Sequence, residues 1–374
     1  MRNSNTISLS DPVLGEEEKQ VLCSVIDSGW ITMGDRVLAL ERAFASLHGA
    51  KDAVAVNSCT AALHLCLLIA GIGPGDEVLV PSLTFVATVN AILYCGATPV
   101  FVDLQDAHVP HISLDDAEQS CTPRTKAVIV MHYGGYLMDL PRWRTFADTN
   151  GLMLIEDAAH APAVGEVGRL SDAAAFSFFT NKNMTTAEGG IILVRDDSAL
   201  ESLRRMRSHG MTTLTLDRYR GHAYSYDVSM LGHNYRMDEL RAALGLVQLD
   251  RLLKFNARRR KLTRFYRKRL ADDVPEVSVP FGSYHETAAH LMPILLPRNV
   301  DRKSVMESLR RAGIQTSIHY PPVHKFSYYR DRFPGNSLLN TENFFARELT
   351  LPLHPGLTEG DVDRVVEALK QALQ

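Results

Sequence analysis

The chain has 374 residues, 45% hydrophobic and 22% charged, with a formal net charge of −3. That length suits two domains better than one, the composition predicts a sizeable core, and the near-balanced charge excludes a global field favouring nucleic acid or an anionic membrane. Five cysteines, an odd number without CxxC spacing, predict free thiols in a reducing compartment and no metal site.

In chain order, the opening MRNSNTISLSDP is polar and does not read as a signal peptide. The longest apolar stretch, residues 61–72, is interrupted by His64 and falls short of the ~20 residues a membrane span needs. A cytoplasmic location is the expectation. Residues 16–27 form an amphipathic segment. Gly29-Trp30-Ile31-Thr32-Met33-Gly34 then reads as a turn, with Trp30 either presented to a site or simply packed. Residues 36–48 look helical and 53–56 read as a short strand. Asn57-Ser58-Cys59-Thr60 follows and opens a helix over 61–70. Small polar residues at a helix start offer free N–H groups to a phosphate. The same residues also serve as ordinary caps.

Strands are predicted at 77–80, 98–102, 127–131 and 151–155, with helices leading to Cys95-Gly96 and over 139–150. Strands alternating with helices of about 10–15 residues indicate βαβ units and a mainly parallel sheet, an α/β fold. An apolar run, Leu152-Met153-Leu154-Ile155, ends in Glu156-Asp157. A second run, 173–179, ends in Thr180-Asn181-Lys182. Ligands of open α/β sheets sit at the carboxyl ends of the strands. One acid and one lysine delivered to that edge suit a cofactor with a ring nitrogen and an aldehyde. Pyridoxal phosphate is such a cofactor, needing a Schiff-base lysine and an acidic partner for its pyridinium. Separately, Asp157 reads as a strand-end cap and Lys182 as a solvated turn lysine. Their joint placement favours the cofactor.

A strand at 191–195 and a helix around 200–207 follow. Residues 208–235 have weak periodicity, and a loop that long is usually functional or buried at an interface. Met237, Leu240, Leu244 and Val247 mark a long helix leading to a second, α+β unit. That unit has a strand near 289–296, a helix at 302–312, a strand-like 315–319 and a terminal helix from Thr358. Arg258-Arg259-Arg260-Lys261 reads as a solvated helix face rather than a nucleic-acid patch. The expected division is a large cofactor-binding domain over 1–250 and a small C-terminal domain over 251–374, with the N-terminal segment free to pack on the small domain.

Many short motifs in order carry a resemblance nearly end to end. They include Trp30-Ile31-Thr32-Met33-Gly34, Ser58-Cys59-Thr60-Ala61-Ala62-Leu63, Gly73-Pro74-Gly75-Asp76-Glu77-Val78, Glu156-Asp157-Ala158-Ala159-His160, Lys182-Asn183-Met184-Thr185-Thr186, Glu188-Gly189-Gly190, Gly232-His233-Asn234-Tyr235-Arg236 and His319-Tyr320. By these the chain resembles the DegT/DnrJ/StrS family of fold-type-I, pyridoxal-phosphate-dependent sugar aminotransferases. The resemblance implies that Lys182 bonds the cofactor aldehyde and then shuttles a proton, while Asp157 pairs with the pyridinium. It implies that Phe85 stacks on the ring, that His160 lies near its phenolic oxygen, and that Ser58, Cys59, Thr60 and Ser177 surround the phosphate. Asn234 would reach that phosphate from the partner subunit, so a homodimer with shared active sites is implied. The implied reaction moves an amino group from L-glutamate to a nucleotide-diphosphate-linked keto-sugar, giving an amino sugar for polysaccharide or secondary-metabolite biosynthesis.

Candidate substrate contacts are Trp30, Thr32, His319, Tyr320 and His324. Arg218, Arg220 and His222 are further candidates for a diphosphate, or else solvated loop charges. Cys59 and Ala187 stand where relatives carry glycine. Two other readings stay open: an aminotransferase for a cyclitol or other non-nucleotide ketone, and a non-catalytic cofactor-binding regulator. A dehydrating branch of the family carries histidine in place of the lysine, and Lys182 argues against it.

Overall fold

The structure, a computed structural model, describes residues 6–213, 221, 225–282, 285–335 and 337–374. Among these, strands β1 (Val54–Val56), β2 (Glu77–Pro81), β3 (Thr98–Val102), β4 (Thr125–Met131), β5 (Met153–Asp157), β6 (Ala173–Ser177) and β7 (Gly190–Val194) build one sheet. Their spatial order is β1-β7-β6-β5-β4-β2-β3. Pairing is parallel from β3 through β6, and β7 runs antiparallel to both β6 and β1. The fold is therefore α/β with a mainly parallel sheet, as expected.

Register decides where the chemistry gathers. Met131 lies opposite Asp157, Ser177 opposite Gly190, and Gly190 opposite Val56. Neighbouring strands thus deliver Asp157, Ser177 and the backbone of Gly190 to one edge.

Both faces of the sheet are buried, and alternate residues divide between two cores. Ala173, Ala175 and Ile192 pack with α3 (Cys59–Ile69), α4 (Val86–Tyr94) and α7 (Ser198–Arg207). Ala174, Phe176 and Ile191 pack with α2 (Asp35–Leu47) and the first half of α8 (Glu239–Asp273). The 35-residue α8 spans roughly 50 Å. Its later residues Leu262, Tyr266 and Leu270 enter a separate core with an antiparallel pair, β8 (Met292–Leu295) and β9 (Glu348–Leu351). Ile7 joins that separate core and bridges Ile314.

Helices α1 (Glu16–Asp27), α5 (Leu114–Ser120), α6 (Leu140–Asn150), α9 (Arg302–Arg311), α10 (Ser327–Arg332), α11 (Leu339–Arg347) and α12 (Glu359–Leu373) are the remaining described α-helices. Local chemistry sets their ends. Asp139 caps α6 through Arg142 N, and Gly151 ends it at φ 64°. Thr358 and Asp361 form a capping box on α12.

The segment 315–319 is not a strand. Only Ser317 bridges Thr350, because the chain then turns inward and Tyr133 Oη takes the His319 carbonyl. The loop candidates Arg218, Arg220 and His222 lie outside the described residues. No helix among the described residues is long and apolar enough to cross a membrane.

Candidate active site

Asp157 is the last residue of β5 and is buried. Thr88 Oγ1 donates to its Oδ2 at 2.6 Å and Ala159 N donates to its Oδ1 at 3.1 Å. Thr84 Oγ1 lies 2.8 Å from Thr88 Oγ1. The Thr88 hydrogen is committed to Asp157, so a hydrogen between the two threonines comes from Thr84, whose other acceptor is Met131 Sδ at 3.1 Å. Burial raises the Asp157 pKa. Thr88, the Ala159 N–H and the Lys182 charge oppose that rise.

Lys182 sits in the turn between β6 and β7, and its N–H donates to Phe179 O at 3.0 Å. Burial lowers its pKa to about 8, against the opposing pull of Asp157 and Cys59. A neutral amine is what attacks an aldehyde. The next residue anchors the turn: Asn183 Nδ2 donates to Asn256 Oδ1 at 2.8 Å and to Ala288 O at 2.9 Å, and its Oδ1 accepts from His290 Nδ1 at 2.9 Å. Ala187, closing the same turn, adopts φ 67°, the left-handed region that favours glycine.

Across the cavity, Ser58 caps α3, its Oγ accepting from Ala61 N at 3.1 Å. The first N–H groups of that helix have no intrahelical partner and carry the positive end of its dipole, which makes an anion site. Gly190 presses against it. A Cβ there would lie 2.7 Å from both Cys59 N and Ser58 C. Burial and the nearby Asp157 raise the Cys59 pKa well above its usual value, so its thiol stays protonated.

These groups line one cavity of about 500 Å³. It holds Ser58, Cys59, Thr60, Phe85, Asp157, His160, Ser177, Lys182, His319 and Tyr320, ten of the predicted site residues. His160 Nδ1 accepts from Gly134 N at 3.2 Å, which places its proton on Nε2, 2.9 Å from Tyr320 Oη. Burial keeps this ring neutral. The Phe85 ring is exposed, 5.9 Å from that of Tyr320.

Four predicted residues do not line this cavity. His324 is buried behind it, with Nδ1 2.6 Å from Ser82 Oγ and Nε2 3.2 Å from Glu342 Oε1, so its ring braces α11. Trp30 Nε1 donates to Met33 O at 3.3 Å, and Thr32 is exposed on the same segment. Glu239 caps the start of α2 beside them, accepting from Gly34 N, Arg36 N and Val37 N at 3.0 Å. Asn234 is exposed, its carbonyl accepting from Asn57 Nδ2 at 3.3 Å.

Sequence reasoning missed Thr88, Asn181 and Ser317, which also line the cavity. Thr88 was findable: it lies three residues after Phe85, on the same helix face. The donor set fits pyridoxal phosphate, with a depressed lysine for the aldehyde, a buried acid for the ring nitrogen and a glycine-lined anion site for the phosphate.

A family model described as the DegT/DnrJ/EryC1/StrS aminotransferase family matches residues 12–370. The spore coat polysaccharide biosynthesis protein SpsC of Bacillus subtilis (strain 168) is 37% identical over 387 residues, covering 100% of this chain and 98% of that protein. The structure of Helicobacter pylori PseC, an aminotransferase involved in the biosynthesis of pseudoaminic acid, is 29% identical with a TM-score of 0.91, covering 98% of this chain and 99% of that one. Bacillus subtilis NtdA, solved with bound cofactor PMP, is 29% identical with a TM-score of 0.87, covering 96% of this chain and 81% of that one. Geometry and similarity over nearly the whole length converge: the chain belongs to the DegT/DnrJ/EryC1/StrS aminotransferase family and takes pyridoxal phosphate as its cofactor.

Proposed function

We propose that this aminotransferase moves the amino group of L-glutamate onto a keto-sugar carried by a nucleotide diphosphate. The observation that carries the reading is the pairing of Lys182, lowered to about 8, with buried Asp157 in one cavity. The sugar class draws support from SpsC and PseC, whose names place them in polysaccharide and pseudoaminic acid biosynthesis.

Bound in the cavity, the cofactor supplies the aldehyde that takes up the amino group and the ring that accepts the electron pair left at the α-carbon. The protein does the rest. Asp157 holds a proton at the ring nitrogen, so the ring stays an electron sink. Lys182 would hold the cofactor through its amine and would move the proton at the α-carbon. His160, whose Nε2–H meets Tyr320 Oη, would lie near the phenolic oxygen. Phe85 covers the ring face. Ser58, Cys59, Thr60 and Ser177 hold the phosphate, joined by Asn234 of a second subunit. The exposure of Asn234 supports that trans role, which would require a homodimer. Trp30, Thr32, His319 and Tyr320 are the proposed substrate contacts. The ring of His324 is committed to Ser82 and Glu342, so its proposed contribution is to hold the cavity wall.

The test is amination of a panel of keto-sugar nucleotides beside the matching free ketones, with L-glutamate as donor. Turnover of a nucleotide-linked ketone supports the proposal. Turnover confined to free ketones overturns the nucleotide assignment and moves the enzyme to cyclitol-like substrates.

A further inference from the structure

His319 is held from behind by three hydrogen bonds. Its N–H donates to Glu348 Oε2 at 2.9 Å, and its carbonyl accepts from Tyr133 Oη at 2.5 Å. Its Nδ1 lies 2.8 Å from Thr350 Oγ1, which lies 2.5 Å from Glu348 Oε1. Nε2 has no protein partner among the described residues, and His319 lines the cavity beside Lys182.

Thr350 owns one hydroxyl hydrogen and stands between two groups, so the direction of the chain follows from Glu348. When Glu348 is a carboxylate, Thr350 donates to it. His319 Nδ1–H then donates to Thr350, and Nε2 shows the cavity a lone pair. When Glu348 is protonated, its O–H donates to Thr350 and Thr350 donates to Nδ1. Nε2 then carries the proton and shows the cavity an N–H.

We infer that Glu348, acting through Thr350, is a positioning residue that sets whether His319 offers the substrate a hydrogen-bond donor or an acceptor. This rests on the function proposed above, in which one cavity takes first the amino donor and then the keto-sugar, and explains how it serves two unlike reactants. The carboxylate of the amino donor is an acceptor and takes the N–H form. A hydroxyl of the sugar is a donor and takes the lone-pair form. Passage between the forms moves one proton onto or off Glu348 and shifts one hydrogen along each bond of the chain, with no change in the charge of His319.

The surroundings agree. Burial pushes the Glu348 carboxyl up to about 8, against the Thr350 and His319 hydrogen bonds and the Arg302 charge. The phenols of Tyr133 and Tyr320 also face it. Burial and the Lys182 charge hold the His319 ring down at about 3, so it stays neutral and only its tautomer is free to change. His160 and His290, both themselves held neutral by burial, are its other titratable neighbours.

Glu348→Gln tests this with little change of shape. The amide oxygen still accepts from His319 N, while its NH₂ donates to Thr350 and locks the Nε2–H tautomer. The substrate-free readout is ¹⁵N NMR of the His319 ring, assigned by difference from His319→Asn. Wild type passes from the Nε2–H to the Nδ1–H tautomer as pH rises through about 8, and the Gln variant does not. In separate half-reactions the variant keeps amino-donor discharge, loses its pH dependence there, and slows sugar amination about tenfold, the worth of one lost hydrogen bond. Thr350→Ser retains the wild-type behaviour and Thr350→Val uncouples the His319 tautomer from pH. A wild-type tautomer that ignores pH overturns the inference, as does Glu348→Gln slowing both half-reactions equally. If L-glutamate fails to discharge wild type while the tautomer still switches, the glutamate reading falls and the switch stands.

Discussion

Asp157→Asn separates the electrostatic role of this residue from its structural one. The hydrogen bonds around it can reverse. An amide nitrogen at the Oδ2 position would donate to Thr88 Oγ1, 2.6 Å away. Thr88 would then donate to Thr84 across 2.8 Å, and Thr84 to Met131 Sδ across 3.1 Å. Ala159 N keeps its acceptor at 3.1 Å. With both hydrogen bonds of the side chain kept or reversed and a buried charge removed, we expect the stability to change by no more than about 1 kcal/mol. Cofactor uptake should not slow, because the Asp157 carboxylate is the largest influence raising the Lys182 pKa. Catalysis is different. Removing one partner of a buried charged pair costs ~3–5 kcal/mol. Placed wholly on the transition state, that loss slows the reaction by roughly 10² to 10⁴. The assay combines the thermal midpoint, the rate of cofactor uptake and the single-turnover rate with amino donor. Turnover within about tenfold of wild type would refute the reasoning, because the ring nitrogen would then not depend on this carboxylate.

Other outcomes follow from the same geometry. Gly190→Ala puts a methyl 2.7 Å from Ser58 C and Cys59 N, so the start of α3 must shift at about 1–3 kcal/mol; cofactor titration should show affinity reduced about ten- to a hundredfold. Cofactor uptake by the apoprotein should rise with pH and level off above about 8, where Lys182 is neutral; a rise continuing towards an ordinary lysine pKa of ~10.4 would contradict the burial argument. Thr88→Val removes the donor to Asp157 and, because burial already raises that carboxyl, should shift the acid limb of the rate–pH profile to higher pH. Mixing inactive Lys182→Ala with Asn234→Ala subunits, weakened about tenfold in cofactor affinity, should raise activity above that of the separate variants by rebuilding one intact site per mixed dimer; no rise would count against the shared site.

What the sequence made legible was whatever sits at the end of an apolar run. Asp157 and Lys182 close two such runs, and their meeting follows from neighbouring parallel strands. Ser58 to Thr60 open a helix, which a strand–turn–helix pattern announces. Contacts between distant segments were not legible. Glu348 and His319 are 29 positions apart, and His324 and Ser82 are 242 apart. Nothing local marked Glu348 as buried, since it follows the polar Arg347 at a helix end. Strand β9 went unseen because α11 runs into it without a turn residue. The 315–319 segment carries β-branched Thr316 and Ile318, yet only Ser317 finds a strand partner, because His319 is drawn under Tyr133. Trp30 and Thr32 looked like site residues, and within one chain Glu239 pins their segment to α2 outside the cavity.

In the proposed reaction Lys182 carries the cofactor until L-glutamate displaces it, and a keto-sugar nucleotide then receives the amino group. The absorption spectrum of the holoenzyme, followed through one cycle beside Lys182→Ala, tests it directly. The account predicts a visible band of the lysine-bound cofactor that is missing from Lys182→Ala, is bleached by L-glutamate, and is restored by a keto-sugar nucleotide. A wild-type band that no amino donor bleaches would contradict it.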